Sequence, residues 1–452
     1  MEKVTEAIGE FICNTHDENI PREVLELCKL HILDTLGVLI AGSKEDVTGI
    51  ITKYIQSFGC GQESTLITQS MKTSAPYAAF GNGVMAHVLD FDDYEVPSMA
   101  HPSVTVLPAV LALGERLKAP GKECLEAYLI GMEVISKVGR GINPDHYDKG
   151  WHSTGTLGAL GAASASSKLL KLDLERVQMA LGIAASMSSG LRGNFGTMAK
   201  AFHAGHAARN GVESAILTSL GFTASKDILE NDLGFCNIFT EGRNYDLRKI
   251  VEGLGDPFSI LSPGVGIKPY PSCAATHSFL DGIFALIREY DIKAEDVDSV
   301  ECGIFYRYPK MLIHSNPQTG LEGKFSLEFC IALALKERDV SLRQFTDLKV
   351  KELGIQQLVK KIKKEVTEEA GKEGTEYPIA ILTVQMKNGK SYPCRIEKRK
   401  GSPLNPLSVE EVTEKFMDCA QLNYSPNQSR RIFDTVMNME KIEDIRELIG
   451  LF

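Results

Sequence analysis

Apolar residues recur at three- and four-residue intervals through most of the first two-thirds of the chain. From Pro21 to Ile40 (PREVLELCKLHILDTLGVLI), Val24, Leu25, Cys28, Leu30, Ile32, Leu33, Leu36 and Leu39 fall near helical spacing, and Pro21 suits a first helical turn. Stretches such as SVTVLPAVLALGERL, CLEAYLIGMEVISKVGRGI, STGTLGALGAASASSKLL and ARNGVESAILTSLGF are rich in Ala, Gly and Leu. That composition predicts closely packed helices around a broad buried core. Strand patterns are scarce here, and no fixed-period repeat or low-complexity tract intervenes.

The pattern changes at LGDPFSILSPGVGIKPYPS, where Pro257, Pro263, Pro269 and Pro271 alternate with Gly255, Gly264 and Gly266. Beyond this break, VDSVECGIFYRY and YPIAILTVQMKNGKSYPCRIEKR read as β-rich. The second is divided by Asn388-Gly389, a two-residue hairpin signal. Between them, KFSLEFCIALALKE and DLKVKELGIQQLVKKIKKE read as helices. KGSPLNPL is a second break, after which Ser408 caps a helix (SVEEVTEKFMDCAQ) with Glu411 at its third position. Three segments result: helical to 266, α+β over 267–401, and a helical tail over 402–452.

At 452 residues the chain has room for several domains of ~100–200 residues each. With 24% charged and 43% hydrophobic residues it has the composition of a globular protein rather than a disordered one. Forty-nine Lys and Arg against 59 Asp and Glu give a net charge of −10, which argues against nucleic acid as the main partner. Small anionic substrates stay open, because a local cluster of Lys, Arg and His can dominate one cleft. Ten cysteines are scattered without a CxxC pair or a tight Cys/His cluster, so neither a structural zinc site nor an iron–sulfur cluster is expected. The N-terminal stretch lacks the basic head and apolar core of a secretory signal, and no apolar run reaches the ~18 residues of a membrane span. A cytoplasmic protein with no membrane partner is expected.

Histidine carries the chemical information. In HVLDFDDYEVPSMAHPSVTVLPA, Asp90, Asp92 and Asp93 precede His101 by about ten residues, and Pro102 disfavours helix at His101. The segment reads either as a carboxylate orienting an imidazole for acid–base work or as an acidic loop capping the next helix. In KGWHSTGTLGALGAA the lone tryptophan, Trp151, adjoins His152 at a helix start. Its free N–H groups suit a carboxylate, and a Ser153 or Thr154 cap is the alternative. SSGLRGNFGTMAKAFHAGHAARNG gathers Arg192, Lys200, His203, His206 and Arg209, which suggests an anion site, or else an ordinary polar helix face. No phosphate loop is present there. IKPYPSCAATHSF adds Lys268, Cys273 and His277 at the domain break, where clefts are common. Cys273 reads as a nucleophile only if a base lies beside it, and otherwise as a buried inert thiol.

These segments together resemble the MmgE/PrpD family. The resemblance rests on H-x-L-D-F-D-D…H-P-S at His87 to Ser103 and G-W-H-S-T-G-T at Gly150 to Thr156. It rests also on G-T-M-A-K-x-x-H-A-G-x-A-A-R-N-G at Gly196 to Gly211 and K-P-Y-P-S-C-x-x-T-H at Lys268 to His277. It implies a mainly α fold: a large all-helical domain built from 1–266 and 402–452, with a smaller α+β domain from 267–401 over it. It also implies chemistry without cofactor or metal on a small di- or tricarboxylate, in a cleft between the domains of a homodimer. Asp90, His101, His152 and Lys200 fall on positions that the family uses at its active site.

The expected function is a hydro-lyase of the 2-methylcitrate dehydratase type. Epimerisation or decarboxylation on the same scaffold is the alternative, and a non-catalytic carboxylate-binding protein is the alternative of another class. The decarboxylase branch has a histidine where this chain has Cys273. In the expected mechanism one of His101 and His152 is base and the other acid, and Asp90 orients His101. Lys200, with Arg192 and Lys268, binds carboxylate and takes up developing charge, and Cys273 is assigned to the substrate-binding wall.

Overall fold

A computed structural model describes residues 3–59, 61–372, 374–375 and 377–452. The longer helices of the first half are α1 (Val4–Asn14), α2 (Arg22–Gly42), α3 (Asp46–Gln56), α4 (Ala75–His87), α5 (Ser103–Leu117), α6 (Gly121–Ile142), α7 (Ser153–Leu169), α8 (Leu174–Met187) and α9 (Met198–Ser219). From Ser153 to Ser167 every residue of α7 is buried, which places this helix in the middle of the bundle. Its Gly and Ala positions make that possible, since α5, α6, α8 and α9 all pack against it.

The crossing of α4 and α9 depends on two glycines. A Cβ on Gly205 would stand 2.2 Å from the Phe80 carbonyl oxygen, and one on Gly83 would stand 2.8 Å from Gly205 Cα. Only residues without a Cβ allow backbones this close. About one turn beyond the crossing, His87 at the end of α4 meets Lys200 near the start of α9.

This part of the chain is not wholly helical, as expected from its pattern, because β1 (Ser64–Leu66) and β2 (Met71–Thr73) form an antiparallel hairpin between α3 and α4. Strands of three residues are too short to leave a periodic signature. None of the described helices is long and apolar enough to cross a membrane.

The second part contains α10 (His277–Tyr290), β3 (Val297–Ile304), α11 (Leu327–Glu337), α12 (Leu353–Val359), β4 (Ile362–Val366), β5 (Ala380–Met386) and β6 (Ser391–Ile396). The sheet order is β4-β3-β5-β6, with β4 parallel to β3 and the other pairs antiparallel. The β5–β6 hairpin turns at Asn388-Gly389, where Gly389 has φ 82°. DLKVKELGIQQLVKKIKKE, read as helix, divides here into α12 and the edge strand β4. Only Ile362 of β4 is buried, and its lysines lie along the open edge where charge deters further pairing. Helix-like spacing of those lysines was overridden by pairing with β3, a contact distant in sequence.

The tail forms α13 (Val409–Ala420), with the expected Ser408–Glu411 capping box, and α14 (Pro426–Met437). Val412, Phe416, Cys419, Ile432 and Val436 join the core of the first part, and Phe416 lies against Gly37 of α2. A separate core is formed by Phe195 and by residues from Cys273 to Val384.

Candidate functional site

A cavity of about 770 Å³ lies where the two cores meet, and Asp90, His101, His152, Lys200, Lys268 and Cys273 all line it. The loop that follows α4 supplies its most polar wall. Asp90 takes a left-handed conformation (φ 50°), which aspartate tolerates better than most residues, and its N–H returns to the His87 carbonyl. One Asp90 carboxylate oxygen accepts from Lys200 Nζ at 2.8 Å and from Lys268 Nζ at 3.0 Å. Burial alone would raise the pKa of Asp90, but the two ammoniums outweigh it and hold the group ionised, well below the usual carboxylate range. The desolvation that works against Lys268 is likewise outweighed by Asp90, and its pKa is raised.

The carboxylate against His101 Nδ1 is Asp92, at 3.1 Å, and not Asp90, which stands 3.9 Å from the other ring nitrogen. The Asp93 carbonyl also accepts from His101 Nδ1 at 2.7 Å, so that nitrogen carries the proton in the neutral ring and Nε2 is the exchanging atom. Thr154, at the start of α7, fixes the His101 backbone by accepting from its N–H at 3.0 Å. Asp92 is shared, since His87 Nδ1 donates to it at 2.9 Å while His87 Nε2 accepts from Lys200 at 2.8 Å. Burial, aided by the Lys200 ammonium, pushes His87 down to about 3 despite Asp92.

His152 precedes α7, with Nδ1 3.1 Å from His203 Nδ1 and its ring edge against Phe195. Burial first, then Lys200 and the surrounding imidazoles, hold it well below the usual histidine range. It is therefore a neutral ring, and its Nε2 has no hydrogen-bond partner among the described residues.

The loop is clasped by cations from distant parts of the chain. Lys324 donates to the Leu89 carbonyl at 2.7 Å, Lys268 to the Asp90 carbonyl at 2.8 Å, and Lys415 of α13 to the Phe91 carbonyl at 2.7 Å. Lys324 also holds the Pro271 carbonyl at 3.0 Å, and Lys415 pairs with Asp34 of α2 at 2.6 Å. Both helical segments and the α+β part thus act on the same five residues.

Arg192, expected to bind substrate, does not line the cavity. Its guanidinium stacks over Tyr147 and donates to the carbonyls of Tyr147 at 2.8 Å and Lys310 at 2.7 Å, so its donors tie the two parts of the chain together. Cys273 does line the cavity, but burial raises its thiol pKa, which leaves it a neutral wall rather than a nucleophile. Lys200, His203 and His206 diverge as α9 turns. Lys200 reaches Asp90, His203 backs His152, and His206 stacks on Phe202.

His87, Asp92, Asp90 and His101 are metal-ligand types within 4.8 Å of one another. Their lone pairs are spent on protein donors, however. His87 Nε2 and Asp90 meet Lys200, and Asp92 meets two imidazoles. The cation of this cluster is an ammonium.

Reading of the sequence overlooked His87 and Asp92 as members of the site, although both lie in the segment that it singled out. Arg399 and Tyr308, which also line the cavity, sit in segments with no chemical signature at all.

The MmgE/PrpD N-terminal domain matches residues 6–248, and the MmgE/PrpD C-terminal domain matches residues 270–441. The cis-aconitate decarboxylase of Homo sapiens is 27% identical over 100% of this chain and 95% of its own length. That of Mus musculus is 28% identical over 100% of this chain and 93% of its own length, and that of Aspergillus terreus 26% over 99% and 95%.

Proposed function

This chain belongs to the MmgE/PrpD family, and from that premise we propose that it is a lyase acting beside a carboxylate of a small di- or tricarboxylic acid. One observation carries the reading: two imidazoles, His101 and His152, share a cavity with two ammoniums, Lys200 and Lys268, gathered on Asp90.

Loss of CO2 or of water beside a carboxylate passes through an electron pair on the adjacent carbon, delocalised onto the remaining carboxylate. No side chain is basic enough to form that species unaided, so fixed positive charge must stabilise it. Lys200 and Lys268 supply that charge. His152, a neutral ring, can accept a proton. His101 has its Nδ1–H fixed by the Asp93 carbonyl and by Asp92, so it carries a proton on Nε2, with Asp92 and Asp90 stabilising the imidazolium.

Loss of CO2 is the first reading, because the relatives named above, matched along their length, are cis-aconitate decarboxylases. In that reaction the C–C bond breaks toward CO2, its electrons stay on carbon, and His101 Nε2–H protonates the carbon. Loss of water is the second reading. It needs a base as well as an acid, which the pair of imidazoles provides, and Cys273 stands where the decarboxylase branch has histidine.

Proton NMR in D2O separates the readings. The expected result with cis-aconitate is release of CO2 and a product carrying solvent deuterium. A new alkene signal from 2-methylcitrate would favour loss of water. Absence of turnover, together with absence of exchange at every C–H beside a carboxylate in both acids, would overturn the lyase reading.

A further inference from the structure

We propose that Arg399 holds a second carboxylate of the substrate, distinct from the one that faces Lys200 and Lys268, so that the site is built for an acid with at least two negative charges. The inference rests on the carboxylate reading above and adds to it the residue that sets the charge of the ligand.

Arg399 follows β6 at the seam between the two parts of the chain and lines the cavity with Lys200, Lys268 and Cys273. Its Nε donates to Tyr94 Oη at 2.9 Å, and its guanidinium lies over the Tyr94 ring, 4.6 Å from the centroid. Among the described residues no carboxylate stands within 4.0 Å of it. Asp281, whose charge it feels, is committed to Tyr270 Oη and to the Lys400 N–H. The neighbouring arginine in the cavity, Arg307, is by contrast paired with Asp148 at 3.1 Å. A cation withdrawn from water without a counter-ion is costly unless a ligand supplies one.

Charge counting agrees. Asp90 compensates one of Lys200 and Lys268, and Asp92 faces His87 and His101. Glu95, another carboxyl on the wall, is turned to the Ser136 hydroxyl and the Ser98 N–H. One ammonium and one guanidinium therefore lack a protein anion.

The position is also built rather than incidental. Tyr94 is pinned by reciprocal backbone hydrogen bonds with Gly266 at 2.9 and 2.8 Å, and a Cβ on Gly266 would meet the Tyr94 ring at 2.6 Å. A Cβ on Gly401 would meet the Ile267 carbonyl at 2.1 Å, so the turn after Arg399 is pressed onto the same strand. The tyrosine that orients the guanidinium comes from the helical part, and the arginine from the other.

The test compares binding of tricarballylate, which has three carboxylates, and isobutyrate, which has one, to the full-length protein and its variants by titration calorimetry. Arg399→Met should weaken tricarballylate about 10- to 100-fold, the size of a charge-assisted contact, and change isobutyrate by less than about twofold. Arg399→Lys should fall between, because it keeps the charge and loses the planar fork. Should Arg399→Met not fold, Tyr94→Phe removes only the orienting acceptor, and tricarballylate should weaken about two- to tenfold with isobutyrate unchanged.

Equal tricarballylate affinity in the variants overturns the role of Arg399 alone. Equal loss of both ligands does so too, because it marks a structural prop. Failure of the unmodified protein to bind tricarballylate overturns the carboxylate reading itself, and the inference with it.

Discussion

Asp90 and Asp92 are two residues apart and do different work, which follows from the left-handed turn at Asp90 that sends their side chains to different partners. Asp92 serves imidazoles and Asp90 serves ammoniums. Asp92→Asn should therefore lower kcat while leaving KM nearly unchanged. Asp90→Asn should raise KM and lower the melting temperature together, because it leaves two buried ammoniums without their counter-ion. Steady-state kinetics with a thermal melt tests the split, and identical effects of the two variants would contradict it. His101→Ala and His152→Ala should each slow turnover by roughly 10²–10⁴-fold with an unchanged circular dichroism spectrum. Near-normal rates in both would place the proton carriers elsewhere. The sequence made both histidines legible as candidates because each adjoins a Pro- or Gly-marked break. It did not show which aspartate faces His101, because that depends on one φ angle.

At the scale of elements, the site is a consequence of how α4 and α9 cross. The contact between His87 and Lys200 exists only because Gly83 and Gly205 let the helices touch near it. Gly205→Ala places a methyl 2.2 Å from the Phe80 carbonyl oxygen, a backbone atom that cannot swing aside. The variant should lose about 1–3 kcal/mol of stability and most of its activity, since α9 carries Lys200 outward when it yields. Gly193→Ala, where an added methyl meets nothing within 4 Å, is the matched control and should behave like the parent in melting temperature. A Gly205→Ala protein with unaltered melting and rate would show that the crossing can relax at no cost. Helices with their own periodicity, such as α2, and the β5–β6 turn at Asn388-Gly389 were legible in the sequence. The strand β4 was not, because only its pairing with β3 makes Ile362–Val366 extended.

At the scale of the whole molecule, buried neutral histidines couple folding to pH. Burial lowers His87 to about 3 and His146 to about 4, with His203 and His206 also near 4. In the unfolded chain these rings take up protons below pH ~6.5, so between pH ~6.5 and ~4 the unfolded state binds more protons and stability falls on acidification. Asp34 and Glu95, whose carboxyls burial pushes up to about 6 and about 7, act in the opposite sense but are outnumbered. His146 alone contributes up to about 3 kcal/mol, and it lies outside the cavity, held by Thr156 Oγ1 at 2.7 Å and the Phe239 carbonyl at 3.3 Å. Urea denaturation from pH 7 to pH 4 should show falling stability, and His146→Gln should flatten the slope. A slope of the opposite sign would mean that the buried carboxyls dominate.

The sequence by itself determined the helices, the hairpin, the capped tail and the residue types of the site, because these follow from local periodicity, turn chemistry and short motifs. His101, His152, Lys200 and Lys268 were identifiable on those grounds, and the cavity gathers them. Partnership was decided only by tertiary structure. Arg192 turned away to the Tyr147 and Lys310 carbonyls. Lys415, from the far end of the chain, came to hold the Phe91 carbonyl beside Asp92. Arg399 reached the cavity from an unremarkable basic run because Tyr94, some three hundred residues earlier, receives it. A buried cation must find an acceptor, and which acceptor lies within reach is set by how distant segments pack, a relation that no local pattern encodes.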